Sequence, residues 1–401
     1  MIPAVIIGAD LAGGLGTARA LKGIGTKIIG ICNNMDSKCC RSKVWDRLIC
    51  IKTGEDGFLD QLKAVGKEIG QKSVLFCSQD NIVQLVSDNR EKLEEYYYFV
   101  LPDKETLNML MDKTEFHRWA VEKGFDVPQG YVVTSISELK NALNEMKYPA
   151  IIKPFVRTSL WDEVNDYAKM IRLNGEEDLK KIEFDLFHVA GKLVMQEWVP
   201  GDDRDVHFCL TYFNRDGEEL AYYTGRKLLQ WPVGCGNTSI AVGTFNEDVH
   251  RITKKVLDAA GHRGLGSLEV KLNRENGKYY LIEPTVGRND LQSYLAVAGG
   301  VNLSRIAYLD AIGKEQGLSE LKRRGSVWIE DYSLTDALKM AMRMKVLPYR
   351  DIMSIVRKRI SFSHLSLSDP LPGIGVIKEK LQNCKRRAVH RGKQVLSKGL
   401  I

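Results

Sequence analysis

The sequence predicts an α/β unit followed by a mixed α+β region. From Met1 to Asp103 short apolar runs alternate with helical stretches, the pattern of parallel strands joined by crossovers. From Lys169 to Glu283 strand-like segments recur with two helices between them, which does not continue the first sheet. The 401 residues exceed one ordinary domain and suit two or three, and 44% apolar with 27% charged residues is ordinary for a globular chain.

The first strand is the apolar run 3–8, which ends in glycine. A helix near Gly16–Lys22 follows, then an apolar run at Lys27–Cys32, a helical stretch at 57–70 and a third run at Ser73–Cys77. The unit closes near Leu101-Pro102-Asp103. A helical pattern runs from Thr106 through Met111, Phe116 and Trp119 and stops at Lys123-Gly124, a suitable C-terminus. Tyr131–Thr134 reads as a strand, Ser137 as the cap of a helix over 138–147, and Tyr148–Lys153 as a strand ended by Pro154. Further strands are expected at 169–173, 192–199, 206–213, 219–226, 265–272 and 278–283, with helices at 176–187 and 246–260. Residues 362–372 read as a linker or loop and about 376–396 as a basic amphipathic helix; no chemistry is legible beyond residue 320.

Composition narrows the function. No apolar run reaches the length of a membrane span. Met1–Gly8 lacks a basic flank and meets Asp10 early, so it reads as a strand and not as a signal peptide. The cysteines at 32, 39, 40, 50, 77, 209, 235 and 384 contain no C-x-x-C pair, which suggests reduced thiols in the cytoplasm and no zinc site. Net charge is +7, but Lys378, Lys380, Lys385, Arg386, Arg387, Arg391, Lys393 and Lys398 stand against Glu379 alone. The basicity is therefore a local tail, not a surface for nucleic acid.

The most informative segment is a hairpin near 265–285, with Asn276-Gly277 at its turn. A three-residue loop with Gly277 left-handed sets Leu272 opposite Tyr280 and Glu269 opposite Glu283; a two-residue turn would set Glu269 opposite Pro284. Facing carboxylates repel unless a cation lies between them, and Mg²⁺ beside nucleotide phosphates meets that need. Lys153 ends a buried strand where the sheet opens, a position suited to a phosphate. Val194–Asp203 is a strand exit whose free backbone groups suit an adenine edge. Taken singly, each has a plainer reading: solvated glutamates on an edge hairpin, a snorkelling lysine, an acidic turn.

Together, in this order, these segments resemble the ATP-grasp superfamily, in particular its branch of carboxylate–amine ligases and carbamoyl-phosphate-synthase-like chains. The resemblance covers about residues 3–313 and is most specific at Met111–Phe116, Phe125–Gln129 with Tyr148–Pro154, Met195–Asp203 and Leu265–Arg288. It implies a Rossmann-like pre-ATP-grasp domain at 1–104, a two-lobed ATP-grasp domain at 105–318 and a small basic C-terminal extension at 319–401. Gly8–Gly16 does not fit G-x-G-x-x-G spacing, so a dinucleotide is not expected there; the glycines read as a tight turn into a helix. Carried over residue by residue, Lys113 and Lys153 hold phosphates. Glu197, Trp198 and Val199 form the adenine hinge, through the Glu197 carbonyl and the Val199 amide, Gln196 stands near the adenine, and Asp203, with Asp205 the alternative, takes the ribose. Glu269, Glu283 and Thr285 hold Mg²⁺, with Mn²⁺ the alternative ion. Arg288, Arg226 and Lys227 neutralise charge during transfer.

The chain departs from the family pattern in three places. Thr285 stands where an asparagine is usual, Arg288 is shifted by one residue, and the phosphate-covering loop 155–169 is poor in glycine, leaving Thr158 and Ser159 as its hydroxyl donors. The resemblance implies an ATP- and Mg²⁺-dependent ligase that activates a carboxylate as an acyl phosphate and joins it to an amine, releasing ADP and phosphate. A thiol or bicarbonate partner, or nucleotide binding without catalysis, are the alternatives. Partners are small molecules, with a homodimer and a peripheral membrane contact as further expectations. The membrane contact rests on Ile374, Ile377, Leu381, Cys384, Ala388 and Val395, which share one helical face among basic residues; the same helix packed on the core with an ordinary basic face outward is the alternative.

Overall fold

The computed structural model describes residues 1–156, 158–165, 170–182, 184–314, 324–355 and 358–383. Among these residues there are three sheets. The first holds β1 (Ala4–Ile7), β2 (Ile28–Cys32), β3 (Arg47–Cys50), β4 (Ser73–Cys77) and β5 (Tyr97–Tyr98), all parallel in the order β3-β2-β1-β4-β5. The four residues of β1 and the five of β4 are fully buried, as strands covered on both faces require. The N-terminal glycines do form a tight turn: Gly8 has φ +93, and a Cβ on Gly14 would lie 2.1 Å from the Gly8 carbonyl oxygen.

A small antiparallel sheet follows, from β6 (Gly130–Val133), β7 (Ala150–Pro154), β8 (Ile171–Leu173) and β9 (Leu193–Glu197), ordered β6-β9-β7-β8. The large sheet holds β10 (Val206–Phe213), β11 (Glu219–Trp231), β12 (Asn237–Thr244), β13 (Gly264–Leu272), β14 (Tyr279–Val286), β15 (Ser326–Ile329) and β16 (Arg359–Phe362), ordered β14-β13-β10-β11-β12-β15-β16. The first and large sheets share a core: Val5, Ile7 and Leu75 pack in one cluster with Cys209, Leu268 and Val270. This holds the carboxyl end of the first sheet against the β13–β14 hairpin, where Cys77 bridges Arg288.

Several expectations shift. The helix after β6 is Ile136–Glu145, capped by Ser135, which accepts from the Glu138 amide at 3.2 Å, and not by Ser137. The expected helix 176–187 is two short ones, Glu176–Lys180 and Leu186–Ala190. β11 runs five residues past its expected end, and β12 is a strand where none was expected, because Thr238, Ser239, Ile240 and Val242 are buried between neighbours. Residues 326–329 and 359–362, read as lacking function, extend the large sheet. Residues 363–370 are the expected loop, but a packed one and not a free linker, since Ser363, His364 and Asp369 are buried and hydrogen-bonded.

Candidate active site

The hairpin sets Glu269 opposite Glu283, but by a different count than the turn suggested. Leu272 pairs with Tyr279, not Tyr280, and a bulge beside Glu269 admits Ile282 as an extra residue of β14. Gly277, at φ +72, donates its amide to the Asn273 carbonyl at 2.8 Å. The bulge restores the pairing of the two carboxylates that the turn alone would have lost.

The two glutamates have different surroundings. Glu269 is largely buried, its carboxylate 2.7 and 2.9 Å from Lys227 Nζ, reached across β10 from β11. Glu283 is about half exposed and lies 3.8 Å from Lys113 Nζ. Asp290, just past β14, lines the same cavity and accepts from Ser267 Oγ at 3.0 Å and Gln292 Nε2 at 2.9 Å. Burial pushes the Glu269 carboxyl up against the pull of Lys227, and Asp290 and Glu283 add to the rise. Burial works against the Lys227 ammonium, yet Glu269, Glu283 and Asp290 hold it above its ordinary range. The lysine's shift favours an ionic pair and the glutamate's opposes it; contact at 2.7 Å supports the lysine's direction. Glu269, Glu283 and Asp290 line one cavity and offer the oxygen donors that a divalent cation takes.

Lys153 leaves the end of β7 and donates to Gln196 Oε1 at 3.1 Å. Burial and the neighbouring Lys113 lower it to about 8, against the pull of Glu283. An ammonium in this state gains from an anionic ligand. Gln196, Glu197, Trp198 and Val199 leave β9 along the wall of a cavity of about 610 Å³, opposite Lys227, Glu269 and Lys271. The Glu197 amide donates to Gln129 O at 2.8 Å and the Trp198 amide to Pro149 O at 3.0 Å, so neighbouring strands fix the exit. A second chamber of about 340 Å³ adjoins it, and the two share Lys113, Lys153, Gln196, Glu283, Thr285 and Arg288. Such volumes suit a nucleotide and a small substrate.

Four sequence-predicted residues take other roles. Arg226 precedes Lys227 in a strand, so its side chain leaves the opposite face, where it pairs with Asp351 at 2.8 Å and does not line the cavity. Asp203 is buried and spends both oxygens on the backbone, accepting from the Gln230 amide at 2.7 Å and the Gly234 amide at 2.8 Å. Asp205 accepts from Arg274 at 2.6 Å and the Asp202 amide at 2.9 Å. Neither acid lines the cavity, and neither has the ribose-facing position that the sequence suggested. Thr158 caps the helix Ser159–Val164 through the Trp161 amide at 3.1 Å, and its hydroxyl donates to Val189 O. Arg157 and residues 166–169 of that loop lie outside the described residues. Arg288 lines both chambers but is held by Asp80, at the start of the helix after β4.

Sequence reading missed Lys271, Asp290 and Gln292. Lys271 was available from the period of two, since it follows Glu269 on the same face of β13. Its Nζ lies 3.8 Å from the centroid of the Trp198 ring, with Arg172 4.7 Å from that centroid, and burial lowers it to about 8.

A five-stranded parallel unit thus abuts a small sheet and a large sheet, with lysines, a strand exit and paired glutamates at their junction. The similarities of the chain point to the ATP-grasp superfamily. It is 22% identical over 267 residues to a D-aspartate ligase of Enterococcus faecium, covering 64% of this chain and 63% of that enzyme. It is 26% identical over 244 residues to the N-terminal section of a carbamoyl phosphate synthase large chain of Methanopyrus kandleri, covering 56% of this chain and 40% of that one. The chain thus spans less than two thirds of the length of either relative. Among solved structures it is similar to an N5-carboxyaminoimidazole ribonucleotide synthetase bound to ADP, with TM-score 0.64 and 17% identity over 86% of this chain and 87% of that one. It is also similar to the biotin carboxylase domain of Hydrogenobacter thermophilus 2-oxoglutarate carboxylase with MgADP, with TM-score 0.61 and 16% identity over 82% and 74%. No family model matches the chain.

Proposed function

We propose that the chain is an ATP- and Mg²⁺-dependent ligase that activates a carboxylate and joins it to an amine. The observation that carries this reading is the facing pair Glu269 and Glu283 beside the buried ammonium of Lys153. Bound there, Mg-ATP supplies the γ-phosphoryl group that converts the carboxylate to an acyl phosphate; the amine then displaces phosphate at the acyl carbon and loses its proton. Mn²⁺ suits the same oxygen donors.

The residues divide the work. Glu283 and Glu269 hold the cation, with Thr285 offering a hydroxyl oxygen in place of an amide carbonyl. Lys113 and Lys153 bear on the phosphates and neutralise charge that grows during transfer. Gln196–Val199 seat the base, and Lys271 over Trp198 replaces Asp203 as the polar group at that end of the cavity. Lys227 neutralises the buried glutamate and faces the transferred group. The small sheet and the large sheet enclose the nucleotide, while Arg288 joins the site to the Asp80 end of the first unit. An ATP-consuming reaction of this kind belongs in the cytoplasm.

Nucleotide binding without turnover is a second reading, favoured by Thr285 and by the pairing of Arg288 with Asp80. A phosphate-release screen of carboxylates against amino acids and amino sugars, with thiols and bicarbonate as further acceptors, decides. Release that requires both a carboxylate and an amine is the expected result. ATP binding with no release under any pairing would replace the ligase by the second reading.

A further inference from the structure

Residues 371–383 form a helix that is docked on one side and apolar on the other. Its inner side is fixed: Val376 is buried, Glu379 pairs with Lys38 at 2.9 Å and accepts from the Tyr332 hydroxyl at 3.0 Å, and Lys380 donates to Thr335. Gly373 and Gly375 let the helix lie tight, since a Cβ on either would strike Leu365 or Lys38. Its outer side presents Leu371, Ile374, Ile377 and Leu381, all more than half exposed. Their spacing of three, three and four residues places them in one stripe. Leu367, just before the helix, is fully exposed.

An ordinary surface helix turns its apolar stripe inward; this one spends its inward face on polar contacts and leaves the stripe to solvent. A continuous exposed apolar stripe on an otherwise well-packed chain marks an interaction surface. Its surroundings select the partner. Lys378 lies beside the stripe, and residues 384–401 carry Lys385, Arg386, Arg387, Arg391, Lys393 and Lys398 without one Asp or Glu. A second copy pressed stripe to stripe would cover the apolar side chains and leave those cations without an anionic partner. A nucleic acid would satisfy the cations and leave the stripe wet. An anionic bilayer satisfies both, receiving the apolar side chains at the headgroup boundary and the cations at the phosphates. No helix among the described residues is long and apolar enough to cross a membrane, so the contact is on the surface.

We infer that the helix at 371–383, together with the basic segment after it, docks the protein on an anionic phospholipid surface. This surface lies outside the residues assigned to the reaction, and the inference does not depend on the ligase reading. The test is co-sedimentation of the full chain with vesicles of phosphatidylcholine and phosphatidylglycerol, beside vesicles of phosphatidylcholine alone. Binding to the mixed vesicles only, weakened by salt, is expected. Ile377→Asp with Leu381→Asp, both at exposed positions, should remove it while the melting temperature stays unchanged. Reversal of Lys385, Arg386 and Arg387 to Glu should weaken it by about fivefold or more for each charge reversed. Absence of binding to mixed vesicles, binding that survives both sets of substitutions, or a dimer in solution that Ile377→Asp dissolves without any lipid binding would overturn the inference.

Discussion

Glu269 and Glu283 face each other but are held differently, and their substitutions should separate accordingly. Glu269→Ala strands the buried Lys227 ammonium and should destabilise the fold by about 3–5 kcal/mol, read as a lowered melting temperature. Glu283→Ala removes a half-exposed carboxylate and should cost less than about 1 kcal/mol of stability while ending ATP turnover. Equal loss of stability in the two variants would contradict this division. Lys153 gives a pH signature. Its ammonium is the form that would bind phosphate in the proposed role, and burial lets the free protein lose it as pH rises through about 8. The KM for ATP should therefore rise above that pH, by at most about tenfold per unit. Lys153→Arg should move the rise to higher pH, because a guanidinium stays charged. Residue types at fixed spacing singled out Glu269, Glu283, Lys113 and Lys153, which the fold brings to one cavity. Asp203 and Asp205 were misplaced because an acid after a strand exit looks alike whether it meets a ribose or, as here, backbone amides.

At the scale of elements, alternation decides which side chain reaches the site. Arg226 and Lys227 are adjacent cations in one strand, and only Lys227 faces Glu269. Arg226→Ala should leave kcat within about twofold and reduce stability modestly, by roughly 1 kcal/mol, through loss of its pair with Asp351. A kcat loss without a stability loss would return Arg226 to the reaction. Asp203→Ala should act on structure, freeing the Gln230 and Gly234 amides and destabilising by about 2–4 kcal/mol. The hairpin was legible because Asn-Gly between apolar runs marks a turn, but its bulge was not, since nothing local signals the extra residue at Ile282. β15 and β16 were hidden for a related reason. They are four residues each, and the large sheet around them, not their own pattern, makes them strands.

Across the whole molecule, the C-terminal segment straps the first unit to the large sheet. Arg19 meets Asp369 at 2.9 Å, both nearly buried, and Ser42 donates to the same carboxylate at 2.6 Å. Burial raises the Asp369 carboxyl, but Ser42, Arg19 and the Lys43 amide outweigh it and hold it below the usual range. A carboxyl lowered on folding adds stability above its ordinary value near 4 and loses it as pH falls through the folded value. The melting temperature should thus fall below about pH 4, and Asp369→Asn should lie lower at neutral pH and flatten that fall. An acid fall that is unchanged in the variant would remove Asp369 from the account. This strap was invisible in the sequence because its partners lie some 350 positions apart. The central claim is that the junction of the three sheets binds Mg-ATP through Glu283 and Lys153. Calorimetric titration with ATP and Mg²⁺ tests it most directly. The native chain should bind, and Glu283→Ala, folded to the same melting temperature within a few degrees, should bind about a hundredfold more weakly or worse. Equal affinity in the two proteins, or no binding by the native chain, would contradict it.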